Sequence, residues 1–107
     1  MLDKLREMTG NDDSRMNTYI QVFKEEMPEY CGILQKAIHE KNVESIAYVA
    51  HISKPLLEMF GFNTLHQQAN NLELDITNGV TFNLIKEKAE HLLSEMKNTL
   101  EELKKNT

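Results

Sequence analysis

Apolar residues return along most of this chain at alternating intervals of three and four, the period of an amphipathic helix. The longest series is Met16, Ile20, Phe23, Met27, Tyr30, Leu34 and Ala37, and it keeps its phase through Pro28. A proline inside a helix removes one hydrogen bond and usually kinks it, so the pattern predicts one long, kinked helix ending near Lys41. Leu2, Leu5 and Met8 predict a short opening helix stopped by Gly10, after which Asn11, Asp12, Asp13 and Ser14 offer N-caps. Asn42 can cap a further helix that turns Val43, Ile46, Ala47, Ala50, Leu57 and Phe60 toward a core and ends at Gly61. Asn63 or Thr64 opens the next, with Leu65, Ala69, Leu72 and Ile76 on one face and Asn78-Gly79 as its stop. The last begins near Thr81 and repeats Phe82, Ile85, Ala89, Leu92, Met96, Leu100 and Leu103. No segment alternates with the period of a strand. Four long helices with short connections and one apolar stripe each predict an all-α fold. The expected arrangement is an antiparallel up-down four-helix bundle with a short extra N-terminal helix, one domain over residues 1–107.

Composition agrees with helices and removes several functions. The chain of 107 residues has only 4 Gly, 2 Pro and no Trp, so few positions break a helix. Its formal net charge is −5, without a basic cluster in the sequence. Nucleic-acid affinity comes largely from Lys and Arg neutralising phosphates, so no nucleic acid is expected as a partner. No apolar run reaches the ~18–20 residues that span a bilayer, and Met1-Leu2-Asp3-Lys4-Leu5 lacks the apolar core of a signal peptide. Cys31 is the only cysteine, read as a small buried hydrophobe in a reducing compartment. The expectation is a soluble, cytoplasmic, monomeric domain without membrane insertion.

In such a fold, chemistry must project from helix faces. No GxGxxG or Walker-type glycine loop occurs, and no HExxH zinc motif. Bundle metal sites of the di-iron kind use Glu-x-x-His, but Lys36, Tyr48, Asn63 and Lys88 stand three residues before His39, His51, His66 and His91. Glu87 and His91, spaced i, i+4, read as a solvated surface pair. No metal and no cofactor are therefore expected.

On a wheel at about 100° per residue with Ala50 at the core, Val43, Ile46, Leu57 and Gly61 fall within about 40° of it. His51 falls about 100° away, at the boundary of core and solvent, with Lys54 between it and the stripe. Tyr48, Ile52, Pro55, Met59 and Phe62 occupy the outward side, interleaved with Glu44 and Glu58. Patterning leaves two readings open: a wide buried arc, or an exposed apolar patch around the histidine of the kind that docks partners. An imidazole in water is largely neutral at pH 7, so a solvent-edge histidine offers a nucleophilic lone pair. A lysine at i+3 could offset the charge of a phosphoryl group on that ring.

The segment Ala50-His51-Ile52-Ser53-Lys54-Pro55-Leu56-Leu57-Glu58-Met59-Phe60-Gly61 resembles the signature of histidine-containing phosphotransfer domains, roughly Ala-His-x-Leu-Lys-Gly-Ser followed by a second glycine. Ala50, His51, Lys54 and Gly61 match by position. Phe23, Glu26, Pro28 and Leu34 resemble the helix before it in that family, and Leu65, Ala69, Leu72 and Glu73 the helix after it. Ser53 replaces an apolar residue and Pro55 a glycine, which leaves the His51 carbonyl without its helical donor and suggests a local kink. The resemblance implies a four-helix bundle that takes a phosphoryl group from a receiver-domain aspartate and passes it to another receiver, without binding ATP. His51 would be the phospho-acceptor and Lys54 its charge partner. Tyr48, Ile52, Pro55, Glu58 and Met59 would dock response-regulator receivers, or the receiver of a hybrid sensor kinase, and Gly61 would serve the motif's structure. The alternatives are a helical adaptor that keeps the shape without carrying phosphate, and a metal- or small-molecule-binding bundle.

Overall fold

A computed structural model describes residues 1–107 as five helices: α1 (Asp3–Met8), α2 (Asp13–His39), α3 (Val43–Met59), α4 (Asn63–Thr77) and α5 (Phe82–Asn106). The four long helices follow one another around the bundle. α2 packs on α3, α3 on α4, α4 on α5, and α5 closes back onto α2, while α1 leans on α3. The all-α expectation holds. Helix starts follow local chemistry: the Asp12 side chain accepts from Arg15 N–H at 3.2 Å, and Asn42 from Ser45 N–H at 3.1 Å. α2 and α3 run through Pro28 and Pro55 respectively as continuous helices, each proline on the exposed side.

The end of α3 shows why Gly61 stands where it does. Its φ of +74° is left-handed, the conformation that closes a helix C-terminus. Gly61 N–H reaches the Glu58 carbonyl and Phe62 N–H the Leu57 carbonyl, both at 3.0 Å. A Cβ there would also sit 2.9 Å from Lys4 Cβ, so the glycine lets α1 close over the α3–α4 turn. The α2–α3 turn makes the same bend with Lys41 at φ +56°, where no glycine is present.

One core joins all five helices. Phe23, Phe60 and Phe62 form an aromatic cluster at the α3–α4 end, with Phe23 and Phe60 centroids 4.8 Å apart and Phe62 edge-on to Phe23 at 5.7 Å. Along α5 the buried residues are Ile85, Ala89, Leu92, Met96, Leu100 and Leu103, with Phe82 half-buried above them. Cys31 is 5% exposed in α2, and burial pushes its thiol pKa above the ordinary value while the nearby Lys97 pulls it the other way. No helix is long and apolar enough to cross a membrane.

α3 departs from its expected phase. Val49, Ser53 and Leu56 are buried alongside Ile46, Ala50 and Leu57, whereas Val43 and Ala47 are only half-buried. At about 100° per residue, that buried set centres on Ser53, not Ala50. A serine can occupy the centre because its Oγ donates to the Ala50 carbonyl at 3.0 Å and so carries its own partner into the core.

Candidate functional site

The shift in phase moves His51. It lies about 160° from Ser53 on the wheel, nearly opposite the core rather than at its edge. Its side chain is 71% exposed. Glu44, Tyr48, Pro55 and Glu58 are exposed on the same helix, and Tyr48 at 58% is the most exposed large apolar side chain of the molecule. Ile52 and Met59 are half-buried on a shoulder, Met59 packing against the core. Each of the two earlier readings of this face therefore describes part of it.

A second helix completes the site. Glu73 of α4 places Oε1 3.1 Å from His51 Nδ1 and 3.2 Å from Lys54 Nζ. Lys54 Nζ also donates to Asn70 Oδ1 at 3.3 Å, one turn earlier on α4. The Lys54 and Glu73 side chains are 19% and 22% exposed, so this ion pair is shielded more than a typical surface pair and the geometry is fixed from two helices.

The chemistry follows from donor and acceptor roles. An ionised carboxylate only accepts, so Nδ1 carries the proton that bridges to Glu73. In the neutral ring the lone pair then lies on Nε2, and the carboxylate selects both tautomer and ring orientation. Lys54 pairs with the same carboxylate oxygen at 3.2 Å and so places an ammonium beside the ring. The arrangement can present Nε2 as a nitrogen nucleophile, with a carboxylate from α4 holding the opposite side of the ring.

Sequence reasoning named His51 and Lys54 as partners, and both are here. It noted Glu73 only as part of the following helix and Ser53 only as a departure from the motif, and it missed Asn70. The available signal was the i, i+3 pair Asn70 and Glu73, polar residues flanking the Leu65, Ala69, Leu72 stripe. Glu87 does not pair with His91: His91 Nε2 instead faces Glu95 Oε1 at 3.8 Å, one turn further along α5. No group of three or more His, Cys, Asp or Glu side chains is close enough together to hold a metal ion.

Other titratable groups lie nearby. Tyr30 of α2 donates to Glu26 Oε2 at 2.9 Å. Its phenol is pushed up to about 12, by burial first and then by that hydrogen bond and the charges of Glu26, Tyr48 and Glu29.

A model of the Hpt domain matches residues 18–106, which includes α3, α4, α5 and most of α2. The chain belongs to the Hpt domain family, whose function is histidine phosphotransfer in two-component signalling. No curated protein and no solved structure gives a significant match.

Proposed function

We propose that His51 is the phospho-acceptor of a phosphorelay and that residues 1–107 act as one monomeric, cytoplasmic unit between two receiver domains. The observation that carries this reading is the single Glu73 oxygen shared by His51 Nδ1 and Lys54 Nζ.

In the forward step the Nε2 lone pair attacks phosphorus of an aspartyl phosphate on a receiver. The N–P bond forms, the P–O bond to aspartate breaks, and the bonding pair leaves on the carboxylate. No proton moves. The ring gains the positive charge of a phosphoimidazolium, which the Glu73 carboxylate stabilises at Nδ1–H, while Lys54 offsets the phosphoryl charge. The reverse chemistry on a second receiver returns the ring to its neutral tautomer. Tyr48, Ile52, Pro55, Glu58 and Met59 form the docking surface, with Tyr48 and Pro55 as its exposed apolar contacts and Met59 as its support. An interface that must release after each transfer is expected to be small, below ~1,200 Å² in total.

The test is incubation with a receiver phosphorylated on its aspartate, followed by mapping of acid-labile label. The reading expects label on His51 and none in His51→Gln. Label on another histidine would overturn it.

A further inference from the structure

The C-terminal part of α2 and the start of α5 enclose an open groove of about 590 Å³, away from the α3–α4 face that carries His51. That volume is within the ~300–1,000 Å³ of small-molecule sites. Lys36, Lys41 and Lys86 line it together with His39. None of these four makes an ion pair or side-chain hydrogen bond within the chain. Lys54, Lys88 and Lys104 each meet a carboxylate, while Lys4, Lys24, Lys97 and Lys105 do not, so what sets the groove lysines apart is that three of them share one concavity. Three unpaired ammonium groups around one groove are notable in a chain of net charge −5, and Glu90 is the single carboxylate in the lining.

The helix dipole accounts for part of this. Lys36 and His39 occupy the last turn of α2, where cations are favourable. It does not account for Lys41, which lies beyond the helix, or for Lys86 near the start of α5, the end that favours anions. That start has no side-chain cap and no acidic residue in its first turn.

Gly32 is the independent observation. It lies in the interior of α2, lines the groove, and has no left-handed φ. A Cβ there would meet nothing within 4 Å, so no neighbour in the chain requires a glycine. A helix-interior glycine costs stability relative to alanine. What it provides is open space on the groove lining, one turn before Lys36.

We propose that this groove binds a multiply charged phosphate anion, with Lys36, Lys41 and Lys86 as its charge partners and Gly32 as its clearance. A single charge would leave two of the three ammonium groups unmatched, which favours an oligophosphate over a monoanion.

The experiment uses inorganic tripolyphosphate as probe, with titration calorimetry and backbone amide shifts at low salt. Saturable one-to-one binding is expected, with shifts confined to residues 32–41 and 82–90. Lys36→Gln with Lys86→Gln should weaken it by about tenfold or more, the scale of losing charge-assisted hydrogen bonds. Gly32→Gln should also weaken it while melting no lower than wild type, which keeps the test valid if the double variant folds poorly. His51→Gln should bind as wild type does, so the outcome is separate from that of the phosphotransfer reading. Absence of saturable binding, shifts centred on Lys54, or affinity that survives both variants would overturn the proposal.

Discussion

His51 and His91 both stand beside a glutamate on the surface, and they differ in where that glutamate comes from. Glu95 is one turn along from His91 on α5; the contact is 3.8 Å long, and the two side chains are 62% and 44% exposed. Glu73 reaches His51 from another helix, 22 positions later, at 3.1 Å and with its own carboxylate half-buried against Lys54. A pair within one helix needs only i, i+4 spacing to be possible, and where it forms, as with Glu95 but not Glu87, it contributes a few tenths of a kcal/mol. A pair across helices exists only in the folded bundle, so the fold itself sets the tautomer and aim of the ring. The contrast separates a surface neighbour from a positioned group.

The strongest way to break this comparison is to exchange the fates of the two rings. His51→Gln is expected to abolish phosphoryl acceptance with little change in melting, because a side chain this exposed leaves no cavity. His91→Gln should accept phosphate as wild type does. Retained label in the first variant would transfer the role to His39, His66 or His91.

Next in size are the carboxylates. Glu73→Ala should slow transfer by roughly 10–100-fold, the value of a charge-assisted hydrogen bond lost at the reacting ring. Glu95→Ala should have no effect on transfer rates measured by rapid quench. Equal rates for the two variants would reduce Glu73 to a structural partner of Lys54.

Docking should cost less. Tyr48→Ala and Pro55→Glu are expected to weaken receiver binding by ~1–2 kcal/mol in calorimetry, the scale of a modest hot spot. Melting should be unchanged in the first and no lower than wild type in the second, which restores a helical N–H. Met59→Glu should also lower the melting temperature, because Met59 packs on the core. Full affinity in all three would place docking on another face.

Lys54→Ala should slow transfer or shorten the phosphohistidine lifetime by about tenfold at most, since Glu73 still holds the ring. Unchanged stopped-flow rates and half-life would mean that Lys54 serves only the carboxylate.

The smallest effect concerns Tyr30, whose glutamate is on its own helix. Its phenol rises from 10.0 to about 12 on folding. The unfolded tyrosine therefore loses its proton first, and the folded state binds more protons between those values. This contribution to stability is intact below pH 10 and is lost as pH climbs through 12. Tyr30→Phe should flatten that alkaline decline in denaturant titrations. An unchanged slope would assign the decline to other groups, with the buried Cys31 thiol as the next to test.

Much of this was legible in the sequence because it is local. Caps at Asp12 and Asn42, stops at Gly10, Gly61 and Gly79, and the apolar repeat of α5 all depend on neighbours within a few residues. The phase of α3 was not, because the centre of its stripe is a serine. Ser53 reads as polar until its bond to the Ala50 carbonyl is known, and without it the wheel is turned by about 60°. Hence His51 was expected at the boundary and is found facing outward. The carboxylate behind it was beyond reach for another reason: contact between α3 and α4 depends on how the two helices rotate against each other. The His51–Lys54 spacing lies within one helix and was readable; the Glu73 and Asn70 contacts lie between two.

Cys31 gives the bundle a built-in clock. A thiol that is 5% exposed, with its ionisation held back by burial, reacts with an alkylating reagent only when α2 lifts from its neighbours. Because it is the one sulfhydryl in the chain, labelling gives a single mass shift per molecule. When reclosing outruns modification, the labelling rate divided by that of a free thiol at the same pH measures the population of the opened state. Followed in the presence of a receiver, the same rate would show whether gripping the α3 face quiets opening of α2, which packs against it.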